Sequence, residues 1–303
     1  MSIQVNNLTK FYGQQKAIDN ISFQANEGEI LGLLGPNGAG KTTTMKILTC
    51  FMPQSSGDVS VCGFDTRKND LDIKKIMGYL PEHNPLYGSM YIKEYLTFVA
   101  AIHKLDNKSK HVDRVIEETG LSKEKNKRIS ELSKGYRQRV GLAQAIIHDP
   151  KVLILDEPIS GLDPNQLIEI RSLINSLKKN KTIIFSSHIL QEVESICDRI
   201  MILNNGQVVQ DNLIENITEN TVQSQKVLVE FLNNISEEVL HNHLDNVRIK
   251  QENKRLFEIS YNGENDIRSL IFDLAVKQEN KILEMKSKGS SLEDVFKEVT
   301  KKN

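Results

Sequence analysis

Apolar and polar residues alternate through the first thirty positions, with breaks at Gly13 and Gly28, which predicts antiparallel strands with one buried face. The alternation gives way to a continuous apolar run, Ile30-Leu31-Gly32-Leu33-Leu34, as suits a short strand buried on both faces. Beyond it Met45, Leu48 and Met52 recur at helical spacing. Pro53 to Gly57 reads as a turn cluster, and strand character resumes from Val59 to Phe64. From Tyr91 to about Lys151 the pattern is largely helical, carried by Tyr95, Phe98, Val99 and Ile102 and then by Val112, Val115 and Ile116. Two further apolar runs, Val152 to Leu155 and Thr182 to Phe185, flank a helical segment from Asn165 to Lys178. That is a βαβ arrangement and implies a parallel sheet with covered faces. Asn205-Gly206, between apolar runs from Ile200 to Val209, predicts a hairpin.

Apolar periodicity lapses between residues 211 and 225, where Asn, Glu, Gln and Thr dominate. The expected organisation is an α/β domain over 1–215, with a helical subdomain at about 88–150, and a small α+β domain over 226–303. In the second, a strand (Lys226 to Leu232), a helix (Ser236 to Leu244) and a hairpin (Val247 to Tyr261) come first. A helix (Asp266 to Gln278), a strand (Lys281 to Lys286) and a last helix (Ser291 to Val299) follow. The order βαββαβ is that of a ferredoxin-like unit.

Between the apolar run at 30–34 and the helix after it lies Gly35-Pro36-Asn37-Gly38-Ala39-Gly40-Lys41-Thr42, followed by Thr43. A glycine-rich loop opening a helix presents free N–H groups and a partial positive charge to an anion. Gly35, Gly38 and Gly40 let backbone approach phosphate oxygens; Lys41 is placed for the β- and γ-phosphates and Thr42 for Mg²⁺. The loop predicts a bound nucleoside triphosphate. The run Val152 to Leu155 ends in Asp156-Glu157, at the strand edge where open α/β sheets bind ligands. Asp156 there can hold Mg²⁺ through its water shell, and Glu157 can orient or deprotonate an attacking water. Leu132-Ser133-Lys134-Gly135-Tyr136 lies about twenty residues earlier and on its own is compatible with a plain helix N-cap.

With these segments in this order, the first 210 residues resemble the ATPase subunits of ABC transporters, and Leu132 to Tyr136 resembles their signature. The usual form is Leu-Ser-Gly-Gly-Gln; Ser133 and Gly135 match it, whereas Lys134 and Tyr136 depart. The resemblance implies that Tyr12 stacks on adenine. It also makes Asp163, in Ser160-Gly161-Leu162-Asp163-Pro164, the acidic residue of the segment communicating across a dimer, and His188 the switch histidine on the γ-phosphate. Glu82, in Gly78-Tyr79-Leu80-Pro81-Glu82, stands where most members carry glutamine and could coordinate Mg²⁺. ATP and Mg²⁺ are the implied ligands, and Lys41, Glu157 and His188 the catalytic set. The implied assembly is two copies sandwiching ATP, Ser133 and Gly135 of each completing the other's site. Membrane-spanning permease subunits would seat near Tyr87, Met90 and Tyr91. Leu80 to Tyr87 and Ser291 to Phe296 are similar to the subgroup serving two-gene export systems, including gliding-motility-associated transporters. The expected function is ATP hydrolysis powering an exporter; a soluble ABC ATPase in translation or DNA maintenance is the alternative. A GTPase would show an Asn-Lys-x-Asp base-reading motif, and none is present.

Composition narrows the partners. The 303 residues are 39% hydrophobic and 26% charged, ordinary for a globular protein, and the net charge of −1 gives no electrostatic reason to expect nucleic acid. Cys50, Cys62 and Cys197 show no paired spacing, so reduced thiols in the cytoplasm are expected. Residues 1–10 lack a leader pattern, and no apolar stretch approaches the ~18 residues of a bilayer span. The resemblance to ABC transporter subunits implies a location at the inner face of the cell membrane, held there by the permease.

Overall fold

The computed structural model describes residues 1–215, 225–244, 246–261 and 266–289. The chain divides into two compact units, Met1–Leu213 and Ile214–Asn303.

In the first unit β1 (Ile3–Tyr12) and β2 (Gln15–Ala25) form an antiparallel hairpin that turns at Gly13, whose φ of 58° falls in the left-handed region glycine tolerates. β3 (Ile30–Leu34) is wholly buried and leads through residues 35–40 into α1 (Lys41–Leu48). β4 (Ser56–Val61) and the short β5 (Phe64–Asp65) extend the hairpin into a sheet of order β2-β1-β4-β5. The strand thus begins inside the expected turn cluster. Gly57 is a strand residue at φ 88°, where a Cβ would lie 2.3 Å from the Asn7 carbonyl oxygen, beside a register break between Asn6 and Thr9.

α2 (Asp70–Ile76) and β6 (Met77–Leu80) precede the helical stretch of α3 (Ile92–Ile102), α4 (Lys108–Glu118) and α5 (Lys134–Ile146). Then come β7 (Val152–Asp156), α6 (Pro164–Leu177), β8 (Thr182–Ser187), α7 (Leu190–Glu194), β9 (Arg199–Asn204) and β10 (Gln207–Leu213). These strands join β3 in a sheet of order β10-β9-β3-β8-β7-β6, parallel except for β10 at the edge. Every residue of β3, β7 and β8 is buried, which explains their unbroken apolar sequences. One core cluster joins Val5, Leu8 and Ile21 of the antiparallel sheet, Met45 and Leu48 of α1, and Leu31, Leu33, Ile154 and Met201 of the parallel sheet. Register fixes the chemistry: Leu34 pairs with Ser187 and Asp156 with Ser186, so three strand ends reach one rim together.

The second unit contains β11 (Gln225–Phe231), α8 (Glu237–His241), β12 (Val247–Gln251), β13 (Leu256–Tyr261), α9 (Arg268–Lys277) and β14 (Ile282–Gly289). Its sheet is antiparallel throughout, in the order β12-β13-β11-β14. Val227, Val229 and Phe231 alternate onto one face with Phe257, Ile259 and Tyr261, and Leu240, Ile271 and Leu274 from the helices complete that core. The helix expected at Ser291 to Val299 lies outside the described residues.

Candidate functional site

The loop between β3 and α1 is shaped by its glycines for two different reasons. Gly38 and Gly40 hold φ of 82° and 105°; nothing lies within 4 Å of a Cβ at Gly38, so its backbone faces open space. Gly35 is different. A Cβ there would meet the Leu203 carbonyl oxygen at 2.3 Å, and Gly35 does not line the cavity the loop encloses. At Gly35, close approach of β9 is by itself a reason for glycine.

The cavity encloses about 310 Å³. Pro36 to Thr43 form its floor, Tyr12, Gln15 and Ala17 stand on one side, and Glu82, Glu157 and His188 on the other. Tyr12 is 46% exposed; its hydroxyl donates to Met52 Sδ at 3.0 Å and the Lys10 ammonium sits 5.6 Å from its ring centroid. Lys41 is buried and donates to the carbonyl oxygens of Gly35 (2.6 Å) and Pro36 (3.3 Å). Burial pulls its pKa down, opposed by the nearby carboxylates of Glu157, Asp156 and Glu82. A desolvated ammonium held only by carbonyls can exchange them for phosphate oxygens, a stronger charge-assisted contact.

Asp156, 1% exposed, ends β7; its Oδ1 accepts from Ser186 Oγ at 2.7 Å and lies 3.4 Å from Thr42 Oγ1. Its Oδ2 is buried and has no hydrogen-bond partner among the described residues. An orphaned carboxylate oxygen beside a helix-terminal hydroxyl is costly unless something cationic or protic completes it, and the oxygen-only donor set fits Mg²⁺. Glu157 takes a left-handed backbone, φ 50°, and its N–H donates to Ser186 Oγ at 3.0 Å. That turn aims its carboxylate into the cavity, where Oε2 lies 2.9 Å from Nδ1 of His188. Burial raises the Glu157 pKa, opposed by the hydrogen bond and charge of His188 and by Lys41.

The rim therefore gathers Tyr12, Pro36 to Thr43, Glu82, Glu157 and His188, with Asp156 beneath them. Ser133, Gly135 and Asp163 do not line the cavity. Ser133 is the N-cap of α5, accepting from Tyr136 N–H at 3.4 Å, and Asp163 the N-cap of α6, accepting from Gln166 N–H at 2.9 Å. The two helix starts abut: a Cβ on Gly135 would lie 2.3 Å from Gln166 Oε1, and one on Gly161 2.4 Å from Lys134 Nζ. Sequence reasoning missed Gln15, Ala17 and Ser186. Ser186 had a signal, a hydroxyl two residues before His188 at the end of an apolar strand; Gln15 and Ala17 had none.

The chain is similar to known proteins along most of its length. The ABC transporter family profile matches residues 18–160. The uncharacterized ABC transporter ATP-binding protein YhcH of Bacillus subtilis is 37% identical over 311 aligned positions, covering 98% of this chain and 95% of the relative. The bacitracin transport ATP-binding protein BcrA of Bacillus licheniformis is 39% identical over 211, covering 69% of each. Among solved structures, CbiO1 of Clostridium perfringens, part of the ABC transporter complex CbiONQ, superposes with a TM-score of 0.66 at 29% identity, over 72% of this chain and 90% of that one. A buried lysine in a glycine-bent loop, strand-end carboxylates across from it, and identity running the length of a relative lead to one conclusion: the chain belongs to the ATP-binding proteins of ABC transporters and is an ATPase.

Proposed function

We propose that this chain hydrolyses ATP as one of a pair of identical copies and thereby powers an export system whose spanning subunits are separate polypeptides. The observation that carries the reading is the shared rim, where Lys41, Asp156 and Glu157 meet the phosphate loop although they are far apart in sequence. Tyr12 offers a stacking face for adenine. Lys41 trades the Gly35 and Pro36 carbonyls for phosphate oxygens. Thr42 and Asp156 are the residues that would hold Mg²⁺, with Glu82 a further oxygen donor on the wall, and the ion's chemistry is to neutralise phosphate charge. Glu157 accepts the proton of the attacking water, and His188 holds that carboxylate in place. Ser133 and Gly135, turned away from their own chain's cavity, are assigned to the nucleotide of the other copy, with Asp163 beside them at the contact.

The pair would sit at the inner face of the membrane, with permease helices against the apolar surface around Tyr87 and Tyr91, 52% and 45% exposed. No described helix is long and apolar enough to cross a membrane. The second unit reads as ferredoxin-like on its strand order. A narrower assignment to gliding-motility transporters rests on residues 80–87 and 291–296; loss of gliding on deleting this chain is its test.

The central experiment is Glu157→Gln in the purified full-length chain. Turnover should be abolished while ATP binding, measured by calorimetry, is retained, and Mg·ATP should shift the variant to a dimer in sedimentation. Wild-type turnover in the variant would remove Glu157 from this role. A strictly monomeric variant saturated with Mg·ATP would remove the paired mechanism. Cross-linking from position 87 to a co-expressed permease tests the membrane contact.

A further inference from the structure

Ser186 lies near the end of β8 and is 0% exposed, although its side chain is polar. A hydroxyl so buried has to be satisfied, and both partners of this one come from the neighbouring strand and the turn after it. Asp156 of β7 pairs with Ser186 in the parallel register, so the two side chains leave the sheet on one face. The Ser186 hydroxyl donates to Asp156 Oδ1 at 2.7 Å and accepts from the Glu157 N–H at 3.0 Å. The adjacent Ser187 shares neither partner. Its hydroxyl donates to the Glu192 carboxylate and accepts from the Ile189 N–H at 3.0 Å.

The direction of the Ser186 bonds is fixed. A backbone N–H can only donate, so a lone pair of Oγ meets Glu157 and the single hydroxyl proton goes to Asp156 Oδ1. Oδ1 is thereby held, while Oδ2 has no partner among the described residues and is the oxygen left for a cation's water shell. Glu157 has a different need. Its left-handed backbone, φ 50°, is unfavourable for a residue with a Cβ, and a buried N–H at a strand end is costly when unpaired. The bond to Ser186 satisfies that N–H at the turn which brings Oε2 to 2.9 Å from His188 Nδ1.

We infer that Ser186 is a positioning residue for hydrolysis: one hydroxyl selects the Asp156 oxygen that serves the magnesium site and holds the turn that presents Glu157. It touches no reacting atom and acts through these two neighbours. This role rests on the reading of Asp156 as the magnesium carboxylate and of Glu157 as the base.

Ser186→Thr and Ser186→Val in the purified full-length chain add the same bulk, and only the first keeps a hydroxyl. Ser186→Ala removes the hydroxyl and adds nothing. Turnover is measured in each, and ATP affinity by calorimetry in each combined with Glu157→Gln, in EDTA and in excess Mg²⁺. In the valine and alanine variants kcat should fall about tenfold or more, the scale expected for losing a group that orients a metal-site carboxylate. The factor by which Mg²⁺ tightens ATP should shrink about as far, with affinity in EDTA within about twofold of the parent. The threonine variant should recover most of both. Equal deficits in the threonine and valine variants overturn the assignment, because bulk then explains them; if neither folds, the alanine variant decides on the same two readouts. Undiminished turnover and magnesium effect in Ser186→Ala also overturn it, as does an equal loss of ATP affinity with and without Mg²⁺. An active Ser186→Ala beside an inactive Glu157→Gln removes Ser186 alone, whereas an active Glu157→Gln removes the mechanism on which the role depends.

Discussion

At the scale of single residues, Lys41 and Tyr12 make separable contributions. Lys41→Ala removes charge-assisted phosphate bonds worth ~1.5–3 kcal/mol each, so ATP affinity measured by calorimetry should fall by one to two orders of magnitude per bond lost. Tyr12→Ala should cost about 1–3 kcal/mol for ATP and leave the affinity for inorganic triphosphate unchanged, since only stacking is lost. An equal loss for both ligands would make Tyr12 a packing residue. Glu157→Gln is a close probe because glutamine meets the same left-handed backbone, φ 50°, as glutamate and keeps its size, while it removes the charge and exchanges one acceptor oxygen for a donor NH2. Most of this site was legible in the sequence, because a glycine loop and a carboxylate pair each follow an apolar run that fixes where their strand ends. Ser186 was not read, although its hydroxyl binds both Asp156 Oδ1 and the Glu157 N–H. A lone serine has no period, and its partner lies 30 residues away in sequence. A further constraint on Gly35 comes from Leu203, on a strand whose adjacency the sequence does not state.

At the scale of elements, glycines mark where helices and strands touch, and they differ in what a methyl group would strike. Gly78 on β6 lies against the Ala145 carbonyl of α5, 2.1 Å from a built Cβ, whereas at Gly135 the obstacle is the flexible end of Gln166. Gly78→Ala should therefore lower the melting temperature clearly, as overpacking against backbone costs roughly 1–3 kcal/mol. Gly135→Ala should leave it nearly unchanged while impairing ATP-driven pairing, which sedimentation of the Glu157→Gln background would read. A second expectation concerns acid. The rings of His103, after α3, and His148, after α5, stack 3.9 Å apart with planes 7° from parallel. Burial, the His103 ring and Lys181 pull the His148 pKa from 6.5 to about 4, against the Met77 carbonyl and Asp149. The folded chain thus binds this proton less readily than the unfolded one. Its contribution to stability is complete above about 6.5 and is lost as pH falls towards about 4. The melting temperature of His148→Asn should fall less than that of the wild type across this window. β6 and α7 escaped the sequence reading because their few residues mix apolar and polar positions or glycine without a clear period; β7, as short as α7, was read because its run is unbroken and apolar up to Asp156.

At the scale of the whole molecule, the order of strands was beyond reach of the pattern. Local apolar runs say that a strand exists and how many faces it buries, but not that β3 lies between β8 and β9. That placement decides the chemistry, because it sets the ends of β3 and β8 side by side with β7 next to them. A chain with the same strands in another order would keep the phosphate loop and lose Asp156 and Glu157 from it.

Every described residue lining the cavity precedes Leu213, where the first compact unit closes. The remaining ninety or so positions supply none of that described lining, so a recognition property acquired there would leave the identity of every lining residue untouched.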